Sequence, residues 1–470
     1  MLRAQRRAAD QPNLLFLWTD EQRADTFAAY GNERFRMPVL NRLARESVVF
    51  ERNYVTQPVC TPSRCSIMTG LWPHQSGCLN NNIALRKETP ALPELMGRHG
   101  YRTAYMGKWH LGDEVFAQHG FEEWVSMEDG YARWYSEGRD ANAVSSYHKW
   151  LMGLGYAPPN GKRFSRDWAV RRPVEHCKPA FLAAEASRFI LGSGSQPWLL
   201  SVNFLEPHMP FFGPYNDLHS EAEAPVPANY PGDTMQPEPE DYRRKRKGYY
   251  EKGFEGLDLK TRAGWQRLNR NYAGLCTQVD QALGRILWAL EASGQAENTL
   301  IVYTSDHGEM MGAHGLVGKT VMYEEALRVP LLIRAPYRKQ RPGRVERNTS
   351  SIDIVPTVLE LMGRKPAAPV SGDSLAPLMA GGAHPEPFVF SQWNAAGGGP
   401  NARTVISPEG LKLVVHDKDH SMLLDRRKDP LETANLIGDS ARQAEVARLK
   451  RELERWMRQE KDPLLGKNLP

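Results

Sequence analysis

The chain has 470 residues, of which 41% are hydrophobic and 24% charged, with a formal net charge of +5. That length supports a large core and more than one domain, and the composition is that of a globular protein. So small a net charge admits an anionic substrate but makes no case for nucleic acid as a partner. No apolar run reaches the ~18 residues needed to span a bilayer, so no membrane helix is expected. The opening, MLRAQRRAADQPN, is basic and has no apolar signal region. The expected location is cytoplasmic, or periplasmic or secreted if a leader has been removed. The five cysteines, Cys60, Cys65, Cys78, Cys177 and Cys276, are too scattered for a disulfide framework and lack zinc-site spacing. Their odd number fits a reducing compartment.

In chain order, the apolar run 14–18 ends in Thr19-Asp20-Glu21 and reads as a buried strand. The stretch PVCTPSRCSIMTGLWPH follows. Pro62 suits a first helical turn, residues 63–69 predict a short helix, and Gly70 is its stop. Cys60 is then expected just before the helix N-terminus, where an anion is favoured by up to about 2 kcal/mol. Arg64 lies one turn in, within reach of a charge-assisted hydrogen bond back to it. A second apolar run, 103–106, leads into Gly107-Lys108. The aromatic and acidic stretch 121–135 predicts either a rim over a site or helix packing, with Arg133, Trp134 and Tyr135 as candidate specificity residues.

The run 198–204 leads into Glu206-Pro207-His208. Residues 221–240 are rich in proline and acids and predict an irregular surface excursion, and the basic run 243–247 after them a solvated loop. Residues 264–293 carry apolar side chains three and four apart, one face of a long helix. The run 299–303 ends in Ser305-Asp306-His307. Small residues at 372–384 suggest a boundary, followed by strand-like pieces at 387–392, 411–416 and 422–424 and a charged helix at 441–460. The expected fold is α/β: a mostly parallel central sheet flanked by helices in residues 1–375, with a smaller C-terminal α+β subdomain in 376–470. Open α/β sheets bind ligands at the carboxyl ends of their strands. Asp20 and the Asp306-His307 pair both close buried strands there, a mixed oxygen and nitrogen donor set for a divalent cation.

Several segments carry a resemblance. NLLFLWTDEQRADTFAAYGN resembles the opening strand of sulfatases, and CTPSRCSIMTG is similar to the first sulfatase signature. GYRTAYMGKWHLG resembles the second, and FLEPHMPFFGP the internal histidine motif. SDHGEMMGAHGLVGKTVMYEEALRVPLLIRAP resembles the late metal and lysine segment, and LLDRRKDPLETANL the C-terminal strand and turn. In that order they identify the chain, by resemblance, as a member of the sulfatase branch of the alkaline phosphatase superfamily. The resemblance implies that Asp20, Asp306 and His307 hold one divalent ion, calcium in the first place, with manganese and magnesium as alternatives. It implies that Cys60 is oxidised by a formylglycine-generating enzyme to formylglycine, whose hydrate completes the shell as the nucleophile. Glu21 stands where many sulfatases have a second aspartate and is one methylene longer, so its place among the ligands stays open. Arg64 would hold the hydrate, Lys108 the sulfate oxygens, and His110 would contact the hydrate. His208 and Lys319 would face the ester oxygen.

Taken singly, Lys108 and Lys319 read as surface lysines and His208 as a packed loop histidine. His74 and His314 are expected to be structural, and Trp72 and Trp109 to pack. The implied activity is hydrolysis of a sulfate monoester of a sugar or small molecule, with no nucleic-acid or membrane partner and with self-association left open. Two rivals stand beside it. One is a phosphonate monoester or phosphodiester hydrolase using the same site. The other is a non-catalytic anion- or glycan-binding relative, against which intact Cys60, Arg64, Lys108, Asp306 and His307 argue.

Overall fold

The computed structural model describes residues 11–97, 99–231, 235–338, 340–382, 386–467 and 469. The basic opening segment and part of the small-residue stretch near 384 lie outside them. The larger sheet is built from β1 (Asn13–Asp20), β2 (Val48–Tyr54), β3 (Arg102–Gly107), β4 (Glu123–Ser126), β5 (Trp198–Pro207), β6 (Thr299–Ser305), β7 (Arg328–Arg334) and β8 (Gly343–Ser350). Their order is β4-β3-β5-β1-β6-β7-β2-β8. From β4 to β6 neighbours are parallel, whereas β7 runs antiparallel to both β6 and β2. The carboxyl ends of β1, β3, β5 and β6 therefore lie along one edge.

The apolar run of β1 is continuous because both faces are covered. Leu15 and Leu17 enter one core layer, and Leu14, Phe16 and Trp18 the other, as the two-residue period of a strand requires. The principal helices are α1 (Pro38–Arg45), α2 (Cys60–Thr69), α3 (Lys178–Leu191), α4 (Glu240–Lys252), α5 (Arg262–Ala292), α6 (Ile354–Leu361) and α7 (Gln443–Gln459). Helices α1, α3 and α5 cover the first layer, α2 and α6 the second.

Helix α2 starts at Cys60, three residues earlier than the sequence suggests. The Ser63 N–H donates to the Val59 carbonyl (3.1 Å), so the first turn already includes Cys60. Pro62 sits inside that turn, where its missing N–H leaves no bond unmade. Gly70 ends the helix as expected, at φ 68° with its N–H on the Ser66 carbonyl. The basic run 243–247 is a second correction, since it lies in helix α4 rather than in a loop. Within it, Arg246 is held by the His314 carbonyl and Glu238, and Lys245 by Asp241.

A smaller antiparallel sheet follows in the order β12-β11-β10-β9. It comprises β9 (Val389–Trp393), β10 (Ala402–Ile406), β11 (Leu411–His416) and β12 (Met422–Asp425). One face packs through Val405, Leu413 and Leu423 against Leu449 and Leu453 of α7. The other packs through Ile406, Val414 and Leu424 against Tyr54 and Leu327 of the larger unit.

Candidate active site

Four loops leave the aligned strand ends and bring the sequence-predicted residues together. Asp20 closes β1, Lys108 and His110 follow β3, His208 follows β5, and Asp306 and His307 follow β6. Cys60 enters at the first turn of α2, 1% exposed. Two of these loops need unusual backbone. Glu21 has φ 70° and His110 φ 59°, a left-handed conformation that is strained for side-chain-bearing residues. At Gly107 a Cβ would meet the Asn203 carbonyl oxygen at 1.9 Å, so only glycine lets β3 and β5 close together there.

Arg64 organises the acidic groups. Its Nη2 donates to Asp20 Oδ2 (2.7 Å), and its Nε lies 2.8 Å from Asp306 Oδ2. Its Nη1 donates to the Lys108 carbonyl (2.7 Å) and to Asn203 Oδ1 (2.9 Å). The guanidinium is fully buried and lies 4.8 Å from the Trp18 ring centroid. With both Oδ2 atoms so held, both Oδ1 atoms lie 3.6 Å from His307 Nε2. Cys60 Sγ is 3.3 Å from that nitrogen and 3.8 Å from Asp20 Oδ1. His307 Nδ1 faces the Gly308 carbonyl at 2.9 Å, which places a proton on Nδ1. Burial opposes the imidazolium, but Asp306 and Cys60 raise its pKa to about 9, so Nε2 offers its lone pair to a cation only on losing its own proton.

This donor set fits a divalent cation. Oxygen ligands ~2.3–2.6 Å from a shared ion stand about 3.3–3.7 Å apart at right angles. The four atoms lie within 4.8 Å of one another on buried residues. Glu21 belongs to a second grouping, with Asp20 and His208. Its Oε1 accepts from Lys319 Nζ (2.8 Å), and its Oε2 lies 3.4 Å from His208 Nε2.

Burial works against the charges of Lys108 and Lys319, but Asp20 beside the first and Glu21 beside the second raise both pKa values. Lys108 Nζ contacts Asp20 Oδ2 directly. Burial pulls the His110 and His208 imidazoles well below their usual range, helped by Lys108 at the one and Lys319 at the other. Both are neutral at neutral pH. The Cys60 thiol is lowered despite its burial and the neighbouring Asp20, because Lys108, Lys319 and His307 favour the thiolate. His110 Nε2 sits 2.9 Å from Asn82 Oδ1, and its Nδ1 has no partner among the described residues.

Cys60, Lys108, His110, His208 and Lys319 line one cleft of about 680 Å³. Of the rim candidates, Trp134 lines it, while Arg133 stacks over Trp134 at 3.8 Å. Tyr131, Arg166 and Lys178 also line it, and the sequence did not single them out. The remaining motif residues pack: His74 bonds to Gln392, His314 stacks on Tyr323, Trp72 meets Trp456, and Trp109 is buried.

The sulfatase family model matches residues 12–364, and that of the N-sulphoglucosamine sulphohydrolase C-terminal region matches 312–459. The chain is 31% identical to the uncharacterized sulfatase YidJ of Escherichia coli K12, over 91% of this chain and 84% of that protein. It is 28% identical to the multifunctional alkaline phosphatase superfamily protein PehA of Trinickia caryophylli, over 91% of this chain and 92% of that one. The phosphonate monoester hydrolase SpPMH from Silicibacter pomeroyi is 27% identical, with a TM-score of 0.77 over 97% of each chain. Fold and family together define an alkaline-phosphatase-like hydrolase. The chain belongs to the sulfatase family; it is an enzyme that acts on sulfate esters. No helix among the described residues is long and apolar enough to cross a membrane.

Proposed function

We propose that this protein cleaves sulfate monoesters with a formylglycine hydrate formed from Cys60 and one divalent cation. The convergence of Cys60, Asp20, Asp306 and His307 at the base of a cleft lined by Lys108, His110, His208 and Lys319 carries this reading. Asp20, Asp306, His307 and position 60 would hold the cation, calcium on the oxygen-rich donor set, with Glu21 alongside. When bound, it would polarise the sulfuryl oxygens and lower the nucleophile's pKa. Formylglycine would supply one hydroxyl to attack sulfur and a second whose deprotonation expels sulfate and restores the aldehyde.

The chain's own residues do the rest. Arg64 keeps the two aspartates oriented and stays charged. Lys108, held cationic by Asp20, meets the sulfuryl oxygens. His110 is neutral, and with Nε2 committed to Asn82 its Nδ1 is the acceptor for the proton lost by the second hydroxyl. Lys319, cationic beside Glu21, meets the charge that develops on the leaving oxygen, and His208 shares that end of the site. The larger sheet with its helices, residues 1–375, is read as the catalytic unit and 376–470 as the C-terminal subdomain. The chain's partners would be the ester and, during maturation, the formylglycine-generating enzyme.

Likeness to a phosphonate monoester hydrolase keeps phosphonate and phosphate diesters as a second reading. Steady-state turnover of an aryl sulfate, an aryl phosphonate monoester and an aryl phosphodiester separates the two. Peptide mass at Cys60 should show the thiol replaced by an aldehyde, and Cys60→Ala should abolish multiple turnover. Full steady-state activity in Cys60→Ala would sink the mechanism.

A further inference from the structure

Beyond the sulfuryl end, the cleft carries a second concentration of positive charge. The His110 ring lies 4.6 Å from the ring of Tyr131. The Tyr131 hydroxyl accepts from Arg166 Nη2 at 2.8 Å, and Arg166 Cζ is 5.9 Å from the Tyr131 ring centroid. Arg166 thus stands one side chain beyond His110. It contacts Glu128, whose other oxygen takes Lys178. Burial opposes the Glu128 charge, but Arg166 and Lys178 hold its pKa down to about 2. A single carboxylate therefore serves two cations.

The neighbouring acids offset this charge only in part: burial raises the Glu206 pKa to about 7 against the pull of Lys178 and Arg166. Asp129 accepts from the Ser145 N–H (2.6 Å) and faces His148 (2.9 Å), while Asp167 pairs with Arg171 (2.9 Å). Arg163, on the same cleft, donates to the Ala141 carbonyl at 2.5 Å and has no carboxylate partner among the described residues. The wall keeps an excess of positive charge in a partly desolvated recess, where an unpaired cation is costly and a matching anion is bound strongly.

We propose that Arg163, Arg166 and Lys178 form a second anion subsite. The preferred substrate is then a sulfate ester whose leaving group bears its own carboxylate or sulfate, about one ring's breadth from the scissile sulfur. This rests on the reading of the other end of the cleft as the sulfuryl site. It narrows the substrate from any sulfate ester to an acidic one, such as a uronate-bearing or doubly sulfated sugar or an acidic phenol.

Sulfonates are not hydrolysed, so binding tests the subsite without turnover. Dissociation constants of benzenesulfonate, 4-sulfobenzoate and benzene-1,4-disulfonate would be measured at low ionic strength by calorimetry or ligand-observed NMR. A dianion should bind about tenfold or more tighter than benzenesulfonate. Tighter 4-sulfobenzoate identifies a carboxylate as the second group, and tighter disulfonate a sulfate. Arg163→Ala should cut the dianion preference at least threefold, and adding Arg166→Gln should bring it near one. If the double variant does not fold, the single variant at the less buried Arg163 decides. Equal binding of mono- and dianions by the unaltered protein, or an undiminished preference in Arg163→Ala, would overturn the proposal. Turnover of 4-nitrophenyl sulfate is scored separately. Its absence beside an intact dianion preference counts against the hydrolase reading alone.

Discussion

Lys319 shows how one side chain takes its chemistry from a neighbour. Burial works against its charge, and Glu21, 2.8 Å away, favours it and raises its pKa. A permanently cationic group suits an oxygen that gains negative charge as its bond breaks. Lys319→Ala should therefore lower kcat/KM by ~10²–10⁴ for esters of poorly acidic alcohols. The loss should be much smaller for 4-nitrophenyl sulfate, whose leaving group needs little help. Rates across phenyl sulfates of graded acidity check this, since a residue with a merely structural role would scale all of them alike. The sequence put Glu21 beside the metal residues, and the folded chain turns its carboxylate toward Lys319 and His208. That choice depends on a left-handed φ at Glu21, which no spacing of residues announces.

At the level of elements, the sequence disclosed the buried strands that end in polar motifs, whereas β2 and β7, also largely buried, lead into none and were not singled out. The runs that became β1, β3, β5 and β6 are apolar because helices cover both sheet faces, and their polar ends mark the site directly. The edge strand β8, GRVERNTS, is half exposed and gives no such signal, and β4 and β10 are short. The Arg166–Glu128–Lys178 wall was illegible for another reason. Its members come from separate segments and meet only through tertiary packing.

Close approaches were equally silent. Gly107→Ala, which drives a Cβ into the Asn203 carbonyl, should destabilise by more than about 4 kcal/mol or prevent folding. Gly31→Ala is the control. Its φ is also left-handed, at 90°, but nothing lies within 4 Å, so about 1 kcal/mol is expected in urea titrations.

Helix α1 has no side-chain cap of its own; Asp280 of α5 accepts from the N–H groups of Val39 (3.0 Å) and Leu40 (2.8 Å) instead. Burial raises the Asp280 pKa from 3.8 to about 6, against the pull of those two bonds. The folded state thus binds this proton more tightly than the unfolded chain, and its contribution to stability falls as pH rises from about 4 to 6. Asp280→Asn should flatten that part of the stability–pH curve relative to the parent, while Asp280→Ala should flatten it too and cost roughly 1–3 kcal/mol near pH 4, less as pH rises. Paired unfolding titrations at several pH values give both numbers.

For the whole molecule, a bound cation would join residues from three separate parts of the chain, around Asp20, Cys60 and Asp306. Ligands that bind only the folded state stabilise it by mass action, about 2.7 kcal/mol at ~100 times Kd. Calcium added to chelator-treated protein should therefore raise Tm, and Asp306→Asn should remove the increase. An unchanged Tm in the unaltered protein would count against the cation site. The smaller sheet contributes indirectly, since α7 anchors the segment after α2 through Trp456 on Trp72, ring centroids 4.9 Å apart.

The burial of Cys60 also sets a clock. At 1% exposure its thiol is out of reach of any macromolecular catalyst once the β1 and β6 loops close over it. The closing residue His307 lies 247 positions later. A ribosome adding ~5–20 residues per second takes roughly 10–50 s to deliver it. If Cys60 is oxidised as proposed, the enzyme that does so must act in that interval or keep the finished chain open. The yield of active protein should then depend on translation speed as well as on the abundance of the oxidising enzyme.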